Sequence, residues 1–459
     1  MNILEIKLKA RQITIIESAI IIGLALFPIF FTYPYRINIF LSWEGAYRLY
    51  QGQIPYKDFG LPMGYAYWLI PAFFFKLFGP YLGTLVKAQV VYNLIAGFSF
   101  RSIVNSLGVQ SGLRLMAVFL FVISYSFFNF WPWYNHAVIV FELAALAFLL
   151  HGVNQKGWRF HLSLFMAALF AFLSFFTKQD GGAFAILITG MLSLYASIAN
   201  KSVKEVGFYV LYLVAIGMIF ILPMIPYEFG YWFNYGQSPH YSRVNASDIL
   251  NEIMGKSLFL KLYLALIVVI LLIKIDRWSY FLSNKKSTMF ILLTLAILLQ
   301  AMVLQVTSYT PPDGNIYFHS FAFVFIVHFL QKDSEFDFNK LKVLIPLGLV
   351  IFIWWSGVYW KYANRILDRI MPKAESSVSA KDVISISTYK FEEDSTALDK
   401  STWILSPFKA FDKVYMPKET IEGIKSIQAL ETMKKENPKV LNMSELTPLA
   451  HTLGYELET

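Results

Sequence analysis

The chain gathers four charged side chains, Glu44, Arg48, Lys57 and Asp58, in the run Trp43–Tyr65, WEGAYRLYQGQIPYKDFGLPMGY, between two oily segments. Two carboxylates and two cations at the mouth of a hydrophobic span suit proton transfer or the binding of a polar ligand. Glu44 and Arg48 are four residues apart, so a helix places them on one face as an ion pair. Asp58 sits in Tyr56-Lys57-Asp58-Phe59, where flanking rings partly desolvate it. That is a setting for a general base; a loop carboxylate capping a short helix is the equal alternative. A second polar run, Thr177–Gly182, holds Lys178 and Asp180. A lysine at a membrane interface is costly unless paired or used. It serves either as a phosphate clamp, with Gly181 and Gly182 allowing close approach, or as the partner of Asp180 in a turn. In the loop 228–256, His240 and Arg243 are polar candidates for a ligand contact, or members of a solvated loop. His319 heads a short apolar segment and is a cavity-lining candidate. No His and carboxylate cluster has metal-ligand spacing. There is no cysteine to supply a thiolate. No metal and no other cofactor is expected.

The elements that must hold these residues are transmembrane. The chain has 459 residues, 57% hydrophobic and 15% charged, with a mean hydropathy of +0.52. Soluble domains have about 45–50% apolar and about 25% charged residues. The apolar residues fall in runs long enough to cross a bilayer. The formal charge of +9 is a topology signal rather than a nucleic-acid patch, because the basic residues outside the tail gather in loops on alternate sides. Hydropathy and loop charge together predict an all-α polytopic membrane protein of about eleven spans. These are 13–33, 82–100, 116–133, 137–151, 162–176, 183–199, 206–227, 258–275, 289–309, 317–330 and 343–360. The segment 65–78 is short and reads as interfacial or re-entrant. Glu142 and Lys261 are placed near span ends. The first span reads as uncleaved, with the N-terminus inside and the tail outside. Clusters such as Trp131, Trp133 and Tyr134 read mainly as an interfacial aromatic belt.

Residues 1–360 thus form the membrane domain, and 361–459 a small external α/β segment. Pro417–Lys435 has the spacing of an amphipathic helix, Lys439–Met443 of a strand, and Ser444–Leu453 of a second helix with Ser444 as its N-cap. The segment ends on what reads as an unfinished βα unit.

The order Trp43-Glu44-Gly45-Ala46-Tyr47, Gly52-Gln53-Ile54-Pro55-Tyr56-Lys57-Asp58-Phe59, Leu61-Pro62-Met63-Gly64 and Leu77-Phe78-Gly79 resembles the GT-C class of polyprenyl-phosphate-sugar-dependent membrane glycosyltransferases. The nearest likeness is to bacterial relatives of the protein O-mannosyltransferases and of the aminoarabinose transferase of lipid A. The likeness covers Trp43–Gly79 in motif, Thr177–Gly182 more loosely, and about the first 330 residues in architecture. It implies an inverting transferase of the bacterial cytoplasmic (inner) membrane. Such an enzyme takes a sugar from a polyprenyl-phosphate carrier and passes it to a lipid, glycan or protein acceptor on the outer face, with the bilayer as its environment and no nucleic acid as partner. The family's catalytic carboxylate lies in the first outer loop, often as an Asp-Glu pair; here Trp43 precedes Glu44. Glu44 is therefore the first candidate base and Asp58 the second. Arg48, Tyr56, Lys57, Lys178, Asp180, His240, Arg243 and His319 are the candidate phosphate and substrate contacts. The alternatives are a non-enzymatic flippase or transporter of lipid-linked saccharides, and a degenerate GT-C scaffold.

Overall fold

The computed structural model describes residues 3–36, 39–60, 63–125, 127–227, 229–230, 246–255, 258–275, 279–307, 317–331, 336–357, 359–360, 403–430, 440 and 442–457. Among them, six helices are long and apolar enough to cross a membrane. The first runs from α1 (Ala10–Leu26) into a 3-10 turn, Phe27–Phe30. The others are α6 (Tyr134–Gly152), α7 (Trp158–Phe175), α8 (Gln179–Ala199), α9 (Lys204–Ile221, continued by the turn Leu222–Met224) and α13 (Lys285–Thr307). Each hydrophobic segment predicted from the sequence contains a helix among the described residues, though 116–133 is helical only as far as Ser124. Several are shorter than a usual span of about 20 residues: α5 (Ser111–Ser124), α11 (Leu258–Lys274), α14 (Phe318–Gln331) and α15 (Leu341–Trp355). By contrast α4 (Leu82–Ser106) is longer than predicted. So is α7, because Trp158–His161 continue the helix that follows Gly157, a residue at φ +62°. Glu142 proves to be mid-helix in α6 rather than near an end.

The helix ends segregate to two ends of the bundle. At one, the Leu8 amide donates to Asn339 and the Leu341 amide to Ile6. Lys7 pairs with Asp337, and Lys342 with Glu5. Gln331 meets Gln110, and Lys285 reaches Asn200. At the other end lie the described residues of 33–68, which contact the α5–α6 and α7–α8 connections. There Ser42 donates to Pro132, Tyr33 stacks on Phe130 at 4.7 Å, and the Ala66 amide donates to Phe176. The short helix α3 (Leu69–Phe78) starts and finishes at this first-loop end: Ala66 is against Phe176, and beyond α3 Leu82 accepts from the Tyr33 hydroxyl. It therefore does not carry the chain across, as its length predicted.

α6 is the central helix, packed on α4, α7 and α8. Of the residues in its most apolar stretch 83% are buried, against 11% in that of α9 and the turn that continues it. Val210, Leu211, Val214, Met218 and Ile219 are exposed on α9, and such unpartnered apolar faces suit a lipid bilayer. Close to the end opposite the first loop, Glu17 of α1 is fully buried and clamped by Arg101 of α4 at 2.6 Å and Arg114 of α5 at 2.8 Å.

The described residues of the tail pair with the first loop. β2 (Trp403–Leu405) and β3 (Val414–Pro417) pair antiparallel, and β3 pairs in parallel with β1 (Tyr33–Pro34) of the first loop. One three-stranded sheet, ordered β1-β3-β2, joins the two regions of sequence. Lys413 also donates to the Ile29 carbonyl. The predicted amphipathic helix is present as α16 (Lys418–Ala429), with Ile421 and Ile424 buried. The described residues of 439–443 form no strand. The last helix is only α17 (Leu449–Leu453), with Pro448 rather than Ser444 at its N-cap.

Candidate functional site

The first loop begins with a helix, α2 (Ile39–Tyr50). It stops where Gly52 takes φ +86°, the left-handed conformation that ends many helices; the Gly52 amide returns to Leu49 and the Gln53 amide to Arg48. On α2 the predicted ion pair is present. The Arg48 guanidinium contacts Glu44 Oε1 at 2.9 Å. It also donates to Gln53 Oε1 at 3.0 Å and lies over the Phe59 ring at 5.1 Å. The Glu44 side chain is one-quarter exposed, so its carboxylate is fixed in direction yet open to solvent.

Asp58 has a different task. Its Oδ2 accepts the Ile54 amide at 2.7 Å, and its own amide donates to the Ile54 carbonyl. These bonds close the turn Ile54–Phe59, in which Tyr56 holds φ +65°, a conformation rare for residues other than glycine. The Tyr56 hydroxyl donates to the Met63 carbonyl at 2.8 Å, and burial raises its pKa. Lys57 is exposed. Asp58 thus closes a turn here, rather than capping a short helix.

Beyond the turn, Gly64 lies so close to Phe176 that a Cβ there would sit 1.7 Å from the Phe176 carbonyl oxygen. This contact sets the first loop against the α7–α8 turn. Burial pushes the neighbouring Tyr65 phenol up to about 12, and its ring packs edge-on against Phe176. In the turn, Lys178 pairs with Asp180 at 3.1 Å, as one sequence reading expected, and its ammonium lies over the Tyr134 ring at 5.7 Å. Burial pulls the Lys178 pKa down, with Asp180 opposing the shift. Tyr134 packs edge-on against Tyr67 at 6.2 Å, and Tyr67 is within electrostatic reach of Glu44. Tyr67 and Trp68 both donate to the Leu41 carbonyl of α2. Contacts therefore run from Leu41 of α2, the helix that carries Glu44, through Tyr67 and Tyr134 to Lys178, and back through Phe176, Gly64 and the Asp58 turn.

The tail covers the other side of α2. His451 of α17 lies 6.2 Å from the Tyr47 ring and 5.6 Å from that of Tyr81. Lys409 lies over Tyr81 at 4.7 Å, and Tyr455 is within electrostatic reach of Glu44 and Tyr47. The sequence reading missed His451, Lys409 and Tyr67. It assigned Tyr134 to the interfacial belt, and only the distance to Lys178 gives it a further part.

One predicted residue, His319, stands apart. His319 is buried in α14, its Nδ1 bonded to the Tyr263 hydroxyl at 2.8 Å and its ring edge-on to Phe259 and Trp355; among the described residues no contact joins it to Glu44 or Lys178. His240 and Arg243 lie outside the described residues. Also among the described residues, no group of three or more His, Cys, Asp or Glu is placed to hold a metal ion.

No protein-family model, no curated protein and no solved structure matches the chain.

Proposed function

We propose that the chain is an integral membrane glycosyltransferase of the GT-C kind, which moves a sugar from a polyprenyl-phosphate carrier to an acceptor hydroxyl at the first-loop end. The observation that carries this reading is the apposition of two loops distant in sequence. The Glu44–Arg48 pair and the Lys178–Asp180 pair belong to one contact network, joined where Gly64 meets Phe176. The end opposite carries the lysines of the N-terminus and of the 284–286 and 340–342 connections, so the positive-inside rule orients the first loop and the tail away from the cytoplasm. We take that membrane to be the bacterial inner membrane.

The chemistry asked of the site is modest. A fixed carboxylate, Glu44, accepts the proton of the acceptor hydroxyl as its oxygen attacks the anomeric carbon. The bond to the carrier oxygen breaks with its electron pair, and the lipid phosphate leaves beside the Lys178 ammonium. Attack from the face opposite the leaving group inverts the anomeric centre. A partly buried cation stabilises the developing phosphate charge more than an exposed one does. Arg48 holds Glu44 in direction, and Asp58 holds the turn that carries Phe59 against Arg48.

A transporter is the second reading, and one observation favours it: Glu142 lies buried at mid-helix, where ionisable residues commonly serve translocation. The two are separated by reconstituting the protein in liposomes with polyprenyl-phosphate hexoses and pentoses. Transfer should fall about 10²–10⁴-fold in Glu44→Gln, the usual worth of a general base. In Asp58→Asn, whose amide oxygen still accepts from Ile54, it should fall less. Full transfer in both variants removes the proposed base. Passage of the lipid-linked sugar across the bilayer without any transfer supports the transporter.

A further inference from the structure

Away from the first loop, buried polar side chains meet in the middle of the bundle. Glu142 of α6 and Gln300 of α13 are each fully buried. Gln300 Nε2 donates to Glu142 Oε2 at 2.5 Å. The two remaining oxygens, Glu142 Oε1 and Gln300 Oε1, are buried and have no hydrogen-bond partner. The same is true of the Tyr317 hydroxyl and of both ring nitrogens of His136.

The surroundings supply no compensating charge. Among the described residues, no cation from α4, α7, α8, α13 or α14 acts on Glu142. The titratable groups within its electrostatic reach are the phenols Tyr125 and Tyr317. On its own helix, His136 stacks on Tyr125 at 4.7 Å. An ionised carboxylate only accepts hydrogen bonds. Buried without a cation, it faces a large desolvation penalty, and the Gln300 oxygen, also an acceptor, cannot help it. A protonated carboxyl has one O–H donor as well as an acceptor. A side-chain amide offers an acceptor oxygen and N–H donors side by side, so acid and amide can close a ring of two hydrogen bonds. One of those bonds, Nε2 to Oε2, is already formed. A single proton on Glu142 Oε1 would supply the other, and would satisfy both orphaned oxygens at once.

We propose that Glu142 and Gln300 form a proton-binding site inside the membrane domain, with the proton shared from Glu142 Oε1 to Gln300 Oε1 and joining α6 to α13. The ligand is a proton rather than a metal cation. One proton neutralises the carboxylate and completes the pairing, whereas hard cations require a fuller shell of oxygens. His136, in the first turn of α6, and Tyr317, just before α14, lie toward the first-loop end. They are the polar groups through which the site exchanges its proton with that end. The site is independent of the transfer reaction and stands or falls without it.

The test is the infrared spectrum of the protein in liposomes at neutral pH, taken as wild type minus Glu142→Gln. The glutamine keeps the side-chain volume and can still pair with Gln300, so the fold is retained. The expected result is a carbonyl band of a protonated carboxylic acid that shifts in D2O. In Gln300→Leu, which keeps the glutamate, that band should move toward the position of an unbonded acid. In Tyr317→Phe its exchange with D2O should slow. Absence of the acid band in wild type, or its presence unchanged in Glu142→Gln, overturns the proposal. So does a thermal stabilisation by sodium or potassium ions in wild type that Glu142→Gln abolishes, because the site would then hold a cation.

Discussion

Replacing Gly64 by alanine tests the apposition on which the site depends. The added Cβ would lie 1.7 Å from the Phe176 carbonyl oxygen and 2.3 Å from its carbon. A comfortable carbon–oxygen approach is about 3.3 Å, so the loop or the turn must retreat by roughly 1.6 Å. The obstacle is backbone, which cannot swing aside as a side chain does. The retreat also lengthens the bond from the Ala66 amide to the Phe176 carbonyl, now 3.2 Å, which contributes about 0.5–1.5 kcal/mol. With the strain of overpacking, the expected destabilisation is about 1–3 kcal/mol, enough to lower the melting temperature without unfolding the bundle. Activity should suffer more. Misplacing reacting groups by about 1 Å costs on the order of 10²-fold, and this shift moves the Lys178 turn relative to the loop that carries Glu44. Transfer from the lipid-linked sugar should therefore fall by about 10²-fold or more. Gly190→Ala in α8 is the control, since a Cβ there meets nothing within 4 Å, and it should be neutral or slightly stabilising. Wild-type transfer and wild-type melting in Gly64→Ala would refute the loop–turn contact. An equal loss of transfer in Gly190→Ala would refute its specificity.

Two further outcomes follow from the packing. Glu17→Gln leaves Arg101 and Arg114 facing an uncharged group in a buried site, and should destabilise the bundle by about 3–5 kcal/mol; unchanged unfolding in a detergent titration would show that the clamp contributes nothing. His451, whose pKa is lowered by burial and then by Lys409, resists protonation while the tail is docked. Below the ordinary value of 6.5 the undocked tail takes up a proton that the docked one refuses, so docking weakens as pH falls. Hydrogen exchange of Val414–Met416 should accelerate between pH about 7 and about 5 relative to intrinsic rates, and His451→Phe should abolish that dependence; a flat profile in wild type counts against the docked geometry.

What the sequence displays here is what local physics controls. The four-residue spacing of Glu44 and Arg48 and the two-residue spacing of Lys178 and Asp180 each made an ion pair, because neighbours on a short element need no distant contact to meet. The short apolar run 65–78 was legible as a segment that does not cross because loop charge was read together with length; 317–330 is as short and was read as a span. The contacts that build the site were not legible. β1 has two residues and no alternation to read, and its partner β3 lies some 380 residues further along. Nothing near Gly64 marks Phe176 as its neighbour; glycine there records a close approach whose other party is unnamed. The depth of Glu142 was misjudged because α6 begins at Tyr134, before the purely apolar stretch, and polar residues such as Asn135 and His136 disguise its first turn.

Both ion pairs of the site are neutral as they stand, and this constrains how an anionic carrier would enter. Lys178 is held by Asp180 at 3.1 Å over the Tyr134 ring, and Arg48 by Glu44 at 2.9 Å. A phosphate reaching Lys178 must share that lysine with Asp180 or displace it. Asp180 Oδ1 also accepts the Gly181 amide at 2.7 Å, so the carboxylate has a second anchor at the start of α8 when the lysine turns away. The helix N-terminus, with its unpaired amides and partial positive charge, stabilises a carboxylate held there. The exchange of partners therefore costs less than separating an isolated ion pair would. Among the described residues Glu44 has no such second anchor, and its one-quarter exposure leaves one side of the carboxylate to an incoming hydroxyl. The asymmetry between the pairs matches the two parts assigned to them: a cation able to change partners, and a carboxylate held in direction by a guanidinium.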